Sequence, residues 1–371
     1  RGSGGARPAR SRRASGRRDS GEPTRIVTHV ATARYPLKLT AFEGYIEPPD
    51  THQGGLTLFR DGYLLTTGDG DLYFLKRSAD GQELAVDRWP IQVPLNTAEF
   101  NAAAGDAVNL LWFRVADILA TETTDGFRLF ATHHYWKADQ QCFVFRISSL
   151  TGRFEDIGTS MDSLHWETFF ETKPCVPLQT EFEPKKFDGL FSGGRMILLD
   201  DDEMLVSIGN NGLEAPGYGL VTAAPQDPDV SYGKLILIHL HDGSSEVFSS
   251  GHRNPQGLHR GPSGVIWLSD HGPQGGDELN RIVRGGNYGW PLATYGVQYG
   301  THKWPLEGTA DQVTGMEEPY MSWYPSIGPS NIIEVTSPLF EAWRGDLLMA
   351  SLKDNSLWRI RVRSDRVVLS E

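Results

Sequence analysis

The sequence is poor in cysteine and methionine, with two and six among its 371 residues. Two cysteines, Cys142 and Cys175, cannot build a disulfide framework or a cysteine-rich metal site. They leave two states open, one disulfide in an oxidising compartment or two buried free thiols. No apolar run approaches the ~18 residues that a membrane helix needs, and no long amphipathic helical pattern occurs. Basic charge is scarce outside one stretch. The net charge is −12, residues 1–18 hold seven arginines and no acid, and the remainder therefore carries −19. Such an acidic body argues against general nucleic-acid binding. The arginine-rich start is low in complexity and reads as a disordered leader over residues 1–24. Neither an initiator Met nor a charged-then-apolar signal peptide is visible, so the sequence reads as processed or as a fragment.

What is present is turn chemistry. The 41 glycines, 22 prolines, 10 tryptophans and 12 tyrosines suit many short strands joined by tight turns. Leu56–Phe59, the turn Arg60-Asp61-Gly62 and Tyr63–Thr67 spell a hairpin. The pattern returns at Arg195–Leu199 with Met204–Ile208, at Gln256–Leu258 with Val265–Ser269, and at Asp346–Met349 with Leu357–Arg361. Antiparallel pairs recurring about every fifty residues predict an all-β fold, a β-propeller over residues 45–371. That spacing predicts six blades. A β-sandwich or a two-domain β protein is the alternative, against which the lack of a linker-like composition shift weighs.

Residues 251–291, GHRNPQGLHRGPSGVIWLSDHGPQGGDELNRIVRGGNYGWP, concentrate charge and special backbone as a pocket rim would. Arg253 is a fixed cation with a planar fork of donors suited to a carboxylate. Asn254 and Gln256 add neutral donors and acceptors. Taken alone, Arg253 would read as half of a structural salt bridge and Asn254 as a turn cap. His271-Gly272-Pro273 ends a strand, where backbone carbonyls can turn outward as oxygen ligands for Ca²⁺. Gly275-Gly276-Asp277-Glu278 places two carboxylates beside flexible backbone, and Gly285–Pro291 is a tight turn able to close over them.

In its order and spacing this string resembles the signature of the glucose/sorbosone dehydrogenase family, whose soluble members oxidise sugars with pyrroloquinoline quinone (PQQ). Gln226-Asp227-Pro228 with Gly233-Lys234, Tyr324–Ser330 and Ser351-Leu352-Lys353 extend the resemblance over about residues 190–363. It implies a six-bladed propeller with PQQ on top. Arg253, Asn254, Gln256 and Lys353 would contact that cofactor. The Gly272 and Pro273 carbonyls would bind a Ca²⁺ that polarises the quinone. Glu278 and the Tyr288 carbonyl would hold a second, structural Ca²⁺. His271 and Asp277 would line the sugar side and assist proton removal. The resemblance further implies a sugar substrate, an electron acceptor and a periplasmic or secreted setting.

Two positions depart from the family pattern. Where relatives carry a histidine two residues before Gly-Gly-Arg, this chain has Phe191, which cannot take a proton. Where relatives end the next strand in Gly-Asp, it has Gly209-Asn210. The chain also stops at Glu371, ahead of a family segment bearing further arginines, which implies an incomplete last blade in a truncated sequence. Gln53-Gly54-Gly55-Leu56 mimics a cofactor-touching motif but lies ahead of the first hairpin and is set aside. His133 and His134 end a strand and would either pack or sit at a channel mouth. The resemblance implies a PQQ- and Ca²⁺-dependent oxidation of an aldose or related alcohol to its lactone or acid. The alternative is a catalytically impaired propeller that binds a ligand or protein, as hedgehog-interacting proteins do, and a purely structural propeller is the third reading.

Overall fold

A computed structural model describes residues 22–32, 34–105, 109–178, 187, 189–214, 222–300, 308–353, 355–363 and 366–370. Most of the predicted leader, residues 1–21, lies outside the described residues. The chain divides into two compact units, Arg1–Pro48 and Pro49–Glu371. In the first, β1 (Thr24–Ala31) pairs antiparallel with β2 (Pro36–Glu43).

The second unit is built almost wholly from strands. Sheet I holds β3 (Gly54–Phe59), β4 (Gly62–Thr67), β5 (Asp71–Arg77) and β6 (Leu84–Gln92). A short helix, α1 (Thr97–Ala104), follows. Sheet II holds β7 (Val115–Glu122), β8 (Gly126–Lys137), β9 (Cys142–Arg153) and β10 (Glu167–Glu171), with β11 (Val176–Pro177) also on β9. Sheet III is β12 (Gly193–Leu198), β13 (Glu203–Ile208), β14 (Lys234–His239) and β15 (Ser245–Ser250). Sheet IV is β16 (Pro255–Arg260), β17 (Ile266–Asp270), β18 (Asp277–Ile282) and β19 (Met321–Trp323). Sheet V is β20 (Pro329–Glu334), β21 (Leu347–Ser351), β22 (Leu357–Arg363) and β23 (Arg366–Ser370). Each predicted hairpin is present.

The inner strands, such as β13 and β17, are buried on both faces because each sheet packs against its neighbours. Leu64, Leu72, Ile118 and Leu129 fill the space between sheets I and II. Phe130, Phe145, Met196 and Val206 fill that between II and III. Leu205, Leu235, Leu258 and Leu268 join III to IV, and Leu279, Trp323, Ile332 and Met349 join IV to V. Each such side chain contributes about 1.5–3 kcal/mol when fully buried. Leu56 and Leu58 on β3 and Ile333 on β20 stay exposed.

The fold is thus an all-β propeller, with five blades among the described residues rather than the six predicted, four of them four-stranded and sheet II carrying β11 as a fifth strand. The last blade, expected to be incomplete, has its four strands. The reason lies in spacing. The first strands begin at Gly54, Val115, Gly193, Pro255 and Pro329, sixty to eighty residues apart instead of fifty. Twelve-residue strands β8 and β9 and the long connection from β18 to β19 lengthen the repeat.

The first strands of successive sheets pack side by side. A Cβ on Gly194 would meet the Ala116 side chain at 2.5 Å, and one on Gly257 would meet the Ser330 carbonyl oxygen at 2.4 Å. Glycine at these places lets neighbouring sheets close on each other at the axis. The residues just ahead of those strands therefore gather at one end: Gln53, Arg114, Phe191-Ser192, Arg253-Asn254 and Ile327-Gly328. Gln53, set aside from its place in the sequence, stands among them and donates from Nε2 to the Ala116 carbonyl at 3.2 Å.

Cys142 and Cys175 form a disulfide, which settles the choice left open between a bridge and free thiols. They are brought together by β11 pairing with the start of β9, Pro177 opposite Cys142. Closing a 33-residue separation contributes about 4 kcal/mol in the chain-entropy treatment. Cys142→Ser should lower the unfolding free energy by about that amount in urea titrations.

A second expectation concerns Lys234, whose ammonium is buried and donates to the carbonyls of Ala224 (2.6 Å) and Tyr232 (3.3 Å). Burial pushes its pKa down to about 7. Between that value and the ordinary lysine range the unfolded chain binds more protons than the folded one, so stability rises with pH there. The rise should be at most about 1.4 kcal/mol per pH unit. Lys234→Met should flatten it in unfolding curves collected from pH 7 to 10.

Candidate functional site

Asp270, the last residue of β17, organises the cluster. Its carboxylate accepts the backbone N–H of Arg253 (3.1 Å) and of Asn254 (2.6 Å). The buried His252 ring stacks on Tyr288 with centroids 4.8 Å apart and holds Nδ1 3.6 Å from the same carboxylate. Its Nε2 meets the Ser249 hydroxyl at 2.8 Å. Burial lowers the His252 pKa and outweighs the opposing pull of Asp270. Backbone and ring are thereby locked by the protein's own contacts.

Arg253 is 6% exposed. Its Nη1 donates to the carbonyls of Gly272 (2.8 Å) and His271 (3.2 Å). The guanidinium lies 4.6 Å from the Phe191 ring centroid and 5.2 Å from that of Trp290. Its Nε has no hydrogen-bond partner, and Glu214 Oε1 stands 4.0 Å away, beyond hydrogen-bond reach. Phe191, noted in the sequence only as a missing base, is therefore a cation–π platform for this arginine. Asn210 likewise supports the site. Its N–H donates to the Arg253 carbonyl at 2.8 Å, and its Nδ2 donates to Glu214 at 3.2 Å.

A cavity of about 420 Å³ opens beside Arg253, lined also by Phe191, Asn254, His271, Gly272, Pro273, Asp277 and Lys353. Ligand pockets commonly begin near this size. Most of the predicted site residues come together here, although they lie as far apart in sequence as Arg253 and Lys353. Exposed Lys353 is placed by its own N–H, which donates to the Ile327 carbonyl at 3.0 Å. Gln256 does not line the cavity; its Nε2 donates to Asn254 Oδ1 at 2.7 Å and so orients that amide.

Asp277 spends its carboxylate on backbone. It accepts from the N–H of Gly272 (3.0 Å), Ile327 (2.8 Å) and Gly328 (2.8 Å), tying sheet IV to the start of sheet V. His271 Nε2 lies 2.5 Å from the Pro329 carbonyl oxygen. A carbonyl only accepts, so Nε2 carries the proton and Nδ1 the lone pair. Burial lowers the His271 pKa, and the Asp277 charge opposes that shift. His133 and His134, by contrast, are fully buried inside β8 and away from the cavity, with His133 held on Ser148 at 2.8 Å.

A second, small cavity of about 10 Å³ is lined by Gly251, Asp270, Gly272, Glu278, Tyr288 and Thr294, among others. This is room for one water or ion. Burial, with Asp270 and Asp277 close by, pushes the Glu278 carboxyl up to about 8. An acid so destabilised as an anion suits a bound cation. Among the described residues no three His, Cys, Asp or Glu side chains are arranged around a metal position. A cation here would rest on Glu278, backbone oxygens and water. The Gly272 carbonyl accepts from Arg253, and the Pro273 carbonyl from the Tyr299 hydroxyl at 3.0 Å. Each carbonyl oxygen has a second lone pair beyond that hydrogen bond.

Residues 178–371, more than half of the chain, match the family Glucose / Sorbosone dehydrogenase. Over 198 residues the chain is 33% identical to the Aldose sugar dehydrogenase YliI of Escherichia coli (strain K12), covering 50% of this chain and 51% of that protein. Over 121 residues it is 36% identical to Quinoprotein glucose dehydrogenase B of Acinetobacter calcoaceticus, covering 26% and 25%. The chain spans about half the length of the curated relatives it matches over its longest stretches. In structure it is similar to the soluble aldose sugar dehydrogenase from Escherichia coli in the apo-form, with TM-score 0.65 and 25% identity over 86% of this chain and 85% of that one. It shares its fold with the PQQ-bound aldose sugar dehydrogenase from Streptomyces coelicolor, with TM-score 0.60 and 20% identity over 94% and 85%. The strand order, the 251–291 string now seen lining two cavities, and the matched half of the sequence agree: the chain belongs to the Glucose / Sorbosone dehydrogenase family.

Proposed function

We propose that the chain binds PQQ in the 420 Å³ cavity and oxidises an aldose or related alcohol. The observation that carries this reading is Arg253: a buried guanidinium at the cavity wall whose Nε lacks a hydrogen-bond partner. A carboxylate of the cofactor satisfies it, with Lys353 supplying charge from sheet V and Asn254, held by Gln256, orienting the ring system. Bound PQQ supplies a quinone that accepts the hydride leaving the sugar carbon. His271 is neutral near pH 7, and its Nδ1 lone pair takes the hydroxyl proton; the adjacent Asp277 charge stabilises the imidazolium that results. Phe191 takes no proton. It holds Arg253 flat and keeps water from that wall.

Glu278 and the cavity it lines hold Ca²⁺ in this reading, with the Tyr288 carbonyl as a further ligand, and the ion's role is structural. The disulfide fits an oxidising compartment, in keeping with a periplasmic or secreted protein. No helix among the described residues is long and apolar enough to cross a membrane. The second reading, a propeller that binds an anion without turnover, is favoured by the placement of Phe191 at the wall.

Titration calorimetry with PQQ should show saturable binding that Arg253→Met weakens by about 100-fold, the loss of a charge-assisted hydrogen-bond pair. Absence of saturable binding to the wild type would overturn the proposal. Dye-coupled oxidation of aldoses then separates the readings, since binding without turnover supports the module. Separately, Ca²⁺ should raise the melting temperature of the wild type and leave that of Glu278→Gln unchanged.

A further inference from the structure

Sheets IV and V enclose another cavity, of about 290 Å³, at the end away from Arg253. Arg253 leads into β16 and Lys353 follows β21. This cavity is lined instead by Ser263 and Val265, at the turn between β16 and β17, and by Gly345 ahead of β21. The five residues of β21 set the two cavities roughly 15 Å apart.

One wall is apolar. Trp267, Leu347 and Val362 reach it from the cluster packed between the two sheets, and Tyr320 stands edge-on to Trp267 with centroids 5.3 Å apart. Opposite charges face the same space. Glu334, the last residue of β20, is half-buried, and its carboxylate rests against Gly261, where a Cβ would collide with Oε2. Burial alone raises its pKa, since no cation is near enough to offset the shift. Among the described residues its side chain has neither a hydrogen bond nor an ion pair. Arg363, the last residue of β22, is exposed and pairs with no described carboxylate. It stands opposite Arg366 in the pairing of β22 with β23, and like charges so placed repel. Arg281, on the same cavity, donates to the Tyr320 hydroxyl at 3.2 Å.

Glu334 and Arg363 therefore line one cavity without meeting each other. Each charge lacks the partner that would offset its loss of water. An unpaired anion and an unpaired cation beside an apolar wall are the complement of a molecule that carries a cation, an anion and an apolar part. A neutral sugar offers no charge to either residue. We propose that this cavity binds a small zwitterion of the amino-acid type, its ammonium on Glu334, its carboxylate on Arg363 and its side chain against Trp267 and Leu347. The site is separate from the PQQ cavity, and the inference does not rest on the cofactor reading.

Titration calorimetry at pH 7 tests it with four probes: L-leucine, L-leucinamide, 4-methylpentanoate and glucose. L-leucine should bind saturably, and the amide and the acid, each lacking one charge, should bind at least about tenfold more weakly. Glu334→Gln should weaken L-leucine by a similar factor and leave 4-methylpentanoate unchanged. Arg363→Met should weaken L-leucine and leave L-leucinamide unchanged. Gly261→Ala, which keeps both charges but displaces the carboxylate, should also weaken L-leucine. All three variants should melt within about 2 °C of wild type and bind PQQ as wild type does. No saturable binding of L-leucine, equal binding by wild type and variants, or glucose binding that Glu334→Gln and Arg363→Met both weaken would overturn the proposal. So would a loss of several degrees in melting temperature in the ligand-free variants, which would mark these charges as structural.

Discussion

The carboxylate of Asp270 is the contact on which the cavity depends. By accepting the N–H groups of Arg253 and Asn254 it fixes the direction of both side chains at the point where sheet IV meets sheet III. A buried charge is costly unless hydrogen-bonded, and here that cost is met by backbone that any neighbouring sequence would supply. Asp277 repeats the device one strand later, taking three N–H groups and closing the sheet IV to sheet V junction. Asp117 does so at the sheet II to sheet III junction, through Arg195 and the Met196 N–H. Aspartates at sheet boundaries thus hold the axial end rigid while the apolar clusters between sheets supply the bulk of stability.

That rigidity explains how Arg253 and Arg114 can be kept in place as cations. Neither guanidinium is fully satisfied by its neighbours. Both lie against aromatic faces, Arg253 on Phe191 and Trp290 and Arg114 on Trp112. Aromatic faces are weak partners for a cation compared with a carboxylate, so the Arg253 Nε at the cavity wall remains available to an incoming anion. In a chain of net charge −12, such local cationic points are what an anionic ligand requires.

Much of the fold is legible in the residues. The hairpin at Arg60-Asp61-Gly62 and its three later counterparts declare themselves through turn chemistry flanked by apolar strands. The number of blades is not legible, because β8 and β9 and the long connection after β18 change the repeat length without changing its pattern. Arg253, Asn254, His271, Asp277 and Lys353 stand out in the sequence, although their convergence does not show there. Asp270 and Arg114 do not stand out. An acid at the end of a buried strand and an arginine after two aromatics look ordinary until their partners, or lack of them, are known.

The chain by itself determined the all-β class, the hairpins and the residue types around the cavity, because these rest on local periodicity and backbone preference. Tertiary structure alone decided that Cys142 meets Cys175, that Phe191 lies under Arg253, and that Asp277 faces backbone. Those facts depend on which strands end side by side, and that is set by the packing of whole sheets around the axis.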